Sequence, residues 1–291
     1  MTDTLAQVRA AYDRYPEREW NRLVGGAQAR LEYLITTHAL RQHLPAPDPA
    51  CYVLDAGGGP GRYTLALAAR GYVMTLLDLS PALLRLARQQ IAHAPLVIQQ
   101  QIAAIEEGSI TDLSRFGDQQ FDAVLCLGGP LSHILDASER QQALQQLGRI
   151  VRPGAPLFIS VMNRLGSYCS TIQRQTYARF SRQFVRTGIG TIGPANAPAY
   201  FFLPEEFVSS LETAGLRVSR LYGCNGLGAH LEEQHLLDLM TDPERWPLWR
   251  DLLLATADQI TIVGVSNHLL AVAHRVEPRV TQPLQNLTRE R

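Results

Sequence analysis

The chain predicts an α/β fold, a mostly parallel sheet covered by helices on both faces, and three observations carry that prediction. From Cys51 onward, short apolar runs alternate with helical patterns, the signature of strand–helix–strand units. The first run, Tyr52-Val53-Leu54, ends on Asp55 and passes through Gly57, Gly58, Gly59 and Gly61 into a helix. Bare backbone between the carboxyl end of a parallel strand and a helix N-terminus is where open α/β sheets receive nucleotide-like ligands. At 291 residues the chain accommodates one such domain plus sizeable insertions.

Residues 1–44 are helical in pattern and predict a cap or lid. Leu5, Val8 and Tyr12 share one face, and Leu31, Leu34, Ile35 and His38 another. Pro16 and the Gly25-Gly26 pair divide the segment into two or three short helices. Pro45, Pro47 and Pro49 form a stop before the main domain, residues 45–276. There the expected order is a strand over Tyr52–Leu54, a helix from Arg62 to Arg70 stopped by Gly71, and a strand over Tyr72–Asp78. Ser80-Pro81 supplies a cap and a proline that open a helix to about His93. A third strand falls near Ile102–Glu106, with Leu96–Gln99 competing for the assignment. Strands over Phe121–Leu127 and Pro156–Met162 flank a helix over Ser138–Val151. A helix over Glu205–Gly215 and strands over Leu216–Tyr222 and His268–Val276 close the domain, and residues 277–291 form a polar, disordered tail. Two stretches exceed what the sheet needs, at about 163–203 and 224–267, both following strands on the ligand-binding edge. The second carries an amphipathic pattern through Leu231, Leu236 and Leu239, then Leu248, Leu252 and Leu253. With the N-terminal helices, these insertions are the expected lids of a second pocket.

Composition excludes several partners. Lys+Arg and Asp+Glu balance at 27 each, and no basic stretch suggests a nucleic-acid footprint. No apolar run approaches the length of a membrane span and no signal-peptide core opens the chain, so a cytoplasmic protein without membrane contact is expected. Cys51, Cys126, Cys169 and Cys224 are far apart with no C-x-x-C pair, which predicts reduced thiols and no zinc site. His230 and His235 stand five apart and do not share a helical face, so no metal is expected there.

The glycine spacing separates two ligand classes. The dinucleotide pattern G-x-G-x-x-G fails from Gly57, where Arg62 holds the last position, and from Gly59, where Thr64 does. Acid-x-G-x-G-x-G is met by Asp55, Gly57, Gly59 and Gly61. That pattern resembles motif I of the class I S-adenosylmethionine-dependent methyltransferases, small-molecule type. The resemblance spans about Cys51 to Met162 plus the final strands. It implies a Rossmann-like sheet of seven strands and S-adenosylmethionine as cofactor.

It also implies roles. The loop of Asp55, Gly57, Gly58 and Gly59 would cradle the methionyl and ribose portions, with the Gly57 carbonyl meeting the amino group and Asp55 holding the loop. Asp78, at the end of the second strand, can accept both ribose hydroxyls, with Leu79 against the adenine; the alternative is a plain helix cap. Relatives often carry Gly-Asp at the adenine edge, whereas this chain has Gly108-Ser109. Ser109 could accept from the exocyclic amine and the Ile110 amide donate to the ring, or Asp112 could take the role instead of capping a turn. Phe121 to His133 resembles motif IV, so Leu127 should offer its carbonyl to the methionyl amine, while Asp122 suits a strand start and Cys126 the core.

On the acceptor side, His133 is the candidate general base, since imidazole suits neutral pH and the residue follows the fourth strand; the alternative is a histidine that hydrogen-bonds a loop carbonyl or packs against the lid. Tyr15 is its candidate catalytic companion. Tyr12, Tyr15 and Trp20 resemble openings that fold over the cofactor, where aromatic faces attract a sulfonium. Arg18 could pair with the methionyl carboxylate or simply be solvated, and Tyr200-Phe201-Phe202 could line a pocket for a flat or apolar acceptor or be ordinary core packing. The expected activity is methyl transfer to O or N of a small metabolite, with a homodimer left open. Two alternatives stand beside it: a cyclase or lyase acting within S-adenosylmethionine itself, and a non-catalytic cofactor-binding module.

Overall fold

A computed structural model describes residues 3–48, 50–173, 175, 181–193 and 195–276. The expected tail, 277–291, lies outside the described residues. The N-terminal segment forms three helices, α1 (Asp3–Arg14), α2 (Pro16–Val24) and α3 (Ala27–His43). They break where Pro16 cannot donate a backbone hydrogen bond and where Gly26 takes φ +74°. The domain then runs β1 (Tyr52–Ala56), α4 (Arg62–Ala68), β2 (Val73–Asp78), α5 (Pro81–Ala92), α6 (Leu96–Gln99), β3 (Ile102–Glu107), β4 (Ala123–Cys126), α7 (Ala137–Ile150) and β5 (Pro156–Met162). The first insertion holds α8 (Arg164–Gln173), α9 (Arg182–Thr187) and the hairpin β6 (Ile189–Ile192)–β7 (Ala197–Tyr200). After α10 (Pro204–Thr213) and β8 (Leu216–Gly223) comes the second, with α11 (Glu233–Thr241), α12 (Arg245–Thr256) and α13 (Ile260–Val265), before β9 (His268–Arg275).

Seven strands make one sheet in the order β3-β2-β1-β4-β5-β9-β8, in which only β9 runs against its neighbours. The order reverses direction between β1 and β4, the switch point at which open α/β sheets leave a crevice. Side chains alternate across the sheet as a period of two requires. Val124 and Cys126 join Leu54, Ile159 and Val161 on one face, which α7 and α10 cover through Leu144, Leu147 and Phe207. Ala123 and Leu125 join Val53 and Phe158 on the other, beneath Leu67 of α4 and Ile35 and Leu40 of α3. The C-terminal half of the cap is therefore part of the sheet's own covering layer.

Several boundaries differ from the sequence expectation. Leu96–Gln99 is a short helix after Pro95, and the strand falls on Ile102–Glu107. β4 is shorter than Phe121–Leu127: Phe121 makes only an isolated bridge to Val151, and Leu127 leaves the sheet as the chain turns at Gly128-Gly129. In α12 Leu253 is buried but Leu248 is 78% exposed and Leu252 44%, so the expected apolar face is broader than the one used. Among the described residues no helix is long and apolar enough to cross a membrane.

Candidate active site

The glycine loop between β1 and α4 is shaped by close approach. A Cβ on Gly57, whose φ is +79°, would lie 2.4 Å from the Pro130 ring, and one on Gly58 would lie 2.4 Å from the Asp55 carboxyl carbon. The Gly57 and Gly58 amides donate to the Leu77 carbonyl at 2.7 and 3.2 Å, lacing the loop to the end of β2. Asp78 completes the lacing: its carboxylate accepts from the Gly59 amide and from the Ser80 amide, both at 2.8 Å. Burial pushes Asp78 up to about 6 against the lowering effect of those two hydrogen bonds, with Asp55 and Glu19 adding repulsion. Asp55, expected to hold the loop, stands directly beneath it against Gly58 and does not line the cleft. It is fully buried, accepts from Thr64 Oγ1 at 2.7 Å, and is raised by burial to about 6.

Above the loop opens a cleft of about 910 Å³, counted with its mouth, within the usual size of a small-molecule site. Gly57, Gly58, Gly59, Asp78, Leu79, Ser109, Ile110, Leu127, Tyr12 and His133 all line it. Ser109 Oγ already accepts from the Thr111 amide (3.2 Å) and hydroxyl (2.8 Å), which uses both lone pairs and leaves it a donor. Asp112 turns away to accept from Ser114. Helix α1 roofs the cleft with Leu5, Val8 and Arg9.

His133 sits at the inner wall, and both its ring nitrogens are engaged. Nδ1 donates to the Pro198 carbonyl at 2.8 Å, so Nε2 is bare and accepts from the Tyr12 hydroxyl at 2.9 Å. Burial lowers the His133 pKa and raises that of Tyr12, so both are neutral. An acceptor's proton can reach this imidazole only through the Tyr12 hydroxyl. Tyr15 is placed elsewhere. It lines the neighbouring chamber, with the guanidinium carbons of Arg18 and Arg14 4.6 and 5.3 Å from its ring centre, so cations of the chain already occupy its π-system. Trp20 is half-buried and lines neither space. Proline at the start of α2 resets the helical phase, which separates Tyr15 and Trp20 from Tyr12.

The neighbouring chamber measures about 1790 Å³ with its mouth and shares Tyr12, Glu19, Arg22 and Gly128 with the cleft. The cap and both insertions wall it, through residues such as Glu32, Met162, Phe201 and Asn225. Arg22, itself exposed, grips the half-buried Glu19 with two nitrogens at 2.6 and 2.9 Å, an i, i+3 pair on the chamber wall that is not among the candidates read from sequence. Glu32 and His268, also absent from those candidates, hydrogen-bond at 2.9 Å although they stand 236 positions apart in sequence. Phe201 reaches the chamber, whereas Tyr200 donates to Glu206 and Phe202 joins the core. His230 turns its Nε2 to the Val265 carbonyl at 2.7 Å.

S-adenosylmethionine fits the cleft by chemistry: a carboxylate at Asp78 for a diol, an apolar slot at Leu79 and Ile110 for a base, and a loop no side chain obstructs. Comparison with known proteins agrees. A family model described as "Methyltransferase domain" matches residues 53–154. A ubiquinone biosynthesis O-methyltransferase of Xanthomonas campestris pv. campestris is 29% identical over 197 residues, 67% of this chain and 71% of that protein. A possible histamine N-methyltransferase from Thermotoga maritima superposes with a TM-score of 0.57 at 17% identity, covering 92% of this chain and 99% of that one. The 1,6-didemethyltoxoflavin-N1-methyltransferase of Burkholderia thailandensis, solved with S-adenosylhomocysteine, gives 0.53 at 16% identity over 94% and 88%.

Proposed function

We propose that this chain, which belongs to the class I S-adenosylmethionine-dependent methyltransferase family, methylates oxygen or nitrogen of a small metabolite in the cytoplasm. Bound S-adenosylmethionine supplies a methyl group on a sulfonium, which is already a good leaving group. What remains for the protein is to bring a nucleophile into contact and to exclude water.

One observation carries the reading: the cleft and the chamber share Tyr12, Glu19, Arg22 and Gly128, so a second molecule can lie against the first without crossing solvent. Asp78 would hold the ribose, Gly57 and Leu127 the methionyl amine, and Leu79 and Ile110 the adenine. Tyr12, fixed by His133, stands where the two spaces meet and serves to orient both occupants, which makes His133 a positioning residue. The chamber walls favour a compact organic acceptor, and the O-methyltransferase name of the Xanthomonas relative favours oxygen.

The test is to incubate the protein and methyl-labelled S-adenosylmethionine with a fractionated cytoplasmic extract of its source organism. Label in a small organic product together with S-adenosylhomocysteine is the expected result. Methylthioadenosine as the sulfur product would overturn it in favour of chemistry within the cofactor.

A further inference from the structure

A phenol, alcohol or ammonium must lose a proton before its lone pair can attack, and a base is then needed at the acceptor. His133 has no free nitrogen for that work. A second imidazole faces the chamber. His268 opens β9 in register with Met162, the last residue of β5, so it stands on the sheet's carboxyl edge. It is two strands across from β4, about 10 Å at the usual inter-strand spacing. Its Nδ1 donates to Glu32 Oε1 at 2.9 Å, while among the described residues its Nε2 has no partner. Both residues line the chamber.

The carboxylate behind the ring stays ionised. Burial would raise the Glu32 pKa, but His268, Arg22 and Arg62 outweigh it and hold Glu32 at about 2. Tyr63 and Cys224 also face Glu32, and burial keeps both neutral by raising their pKa values. A carboxylate placed this way selects the tautomer with a bare Nε2 and stabilises the imidazolium formed when that nitrogen takes a proton. Elsewhere on the chamber wall are Phe201, Met162 and the Tyr15 ring, flat or apolar, with the Arg18 guanidinium beside them. An aromatic ring that becomes an oxyanion suits such walls.

Building on the methyl-transfer reading, we infer that Glu32 and His268 are the general-base pair of the acceptor chamber and that the acceptor carries a phenolic hydroxyl. The O–H bond breaks, its electron pair stays on oxygen, and the proton forms an N–H bond at His268 Nε2. The imidazolium rests on Glu32 until it releases the proton to water.

The experiment uses 4-nitrocatechol, whose phenolate absorbs at longer wavelength than its phenol, with the full-length protein saturated by S-adenosylhomocysteine. At a pH below the probe's own ionisation, wild-type protein should bind it as the phenolate. His268→Gln should lower the bound phenolate-to-phenol ratio about tenfold, the equivalent of one pKa unit, and Glu32→Gln should lower it in the same direction. Calorimetry with S-adenosylhomocysteine checks that each variant is folded; if His268→Gln is not, Glu32→Gln decides. A probe bound as phenol by the wild type, no probe binding at all, or an unchanged ratio in the folded variants would overturn the inference. Failure of the wild type to bind S-adenosylhomocysteine would instead overturn the methyl-transfer reading beneath it.

Discussion

Asp78 combines three tasks in one carboxylate: it ties the Gly59 amide, caps α5 through Ser80, and faces the cleft. Because burial lifts it to about 6, the ionised form, which under the proposed function would hold the ribose diol, is lost as pH falls through that value. Affinity for S-adenosylhomocysteine should be flat above about pH 7 and fall roughly tenfold per unit below about 6. Calorimetry on Asp78→Asn should show no such pH dependence and binding weakened about a hundredfold, the worth of two charge-assisted hydrogen bonds. Asp55 gives a matching prediction for stability. Its folded-state pKa of about 6 exceeds the ordinary aspartate value of 3.8, so the folded state binds the extra proton and stability declines as pH rises between those values. Asp55→Asn keeps the Thr64 hydroxyl's acceptor and removes the buried charge. Urea unfolding should find it about 1–3 kcal/mol more stable than wild type at pH 8 and equal to it below pH 4. A less stable variant at pH 8 would show that the charge itself supports the loop.

At the scale of the element, α1 roofs the cleft. A helix of twelve residues is marginal alone and is held here by docking. Leu5, Val8 and Tyr12 turn inward, Arg9 pairs with Glu107 at 2.8 Å, and Asp13 accepts from Ser80 Oγ at 2.6 Å and the Ala82 amide at 3.2 Å. If ligands leave by lifting this roof, Asp13→Ala should speed S-adenosylhomocysteine release by roughly fivefold, about 1 kcal/mol of lost capping. Stopped-flow displacement measures it, and an unchanged rate would mean that ligands pass elsewhere. The strand–glycine–helix unit was legible in the sequence because all its determinants are local: a buried run, an acid, glycines at fixed offsets. The apolar face of α1 was legible for the same reason. What it covers was not, because Asp13 and Ser80 meet across 67 residues of chain. The choice among Tyr12, Tyr15 and Trp20 turns on the phase change at Pro16, which composition does not record. Glu32 and His268 were invisible because no spacing joins a cap helix to the last strand.

Across the whole molecule, cleft and chamber are built from different material. The cleft is built mainly from the sheet edge and α1, with Glu19 and Arg22 of α2 common to both spaces, while the chamber is clasped by the cap and two insertions that also hold each other. Ala27 and Leu31 of α3 pack on Leu236 and Leu253 of the second insertion, and Glu233 accepts from the Ala27 amide. The first insertion is pinned to the second where the Asn163 side-chain Nδ2 donates to the Gly264 and Ser266 carbonyls at 2.8 and 2.7 Å. Beside that pin, Gly166 of α8 lies so close that a Cβ would stand 2.1 Å from the Ser266 carbonyl oxygen and 2.8 Å from the Asn267 Cα. Backbone meets backbone there, so no rotamer can relieve the clash, and Gly166→Ala must push α8 off the second insertion at a cost of about 1–3 kcal/mol. The pocket that widens contains Ser167, Ser170 and Asn267 on its wall but none of the residues that lace the glycine loop. Gly166→Ala should therefore hold S-adenosylhomocysteine within about twofold of wild type, because the clash falls on Ser266 and Asn267 and not on the four residues that cleft and chamber share. Methyl transfer should fall about tenfold or more, because a misplaced acceptor loses the near-attack geometry on which the rate depends. Paired calorimetry and label-transfer assays separate the two quantities. If both fell together, cleft and chamber would be one mechanical unit, and closing the lids over the acceptor would also be what retains the cofactor.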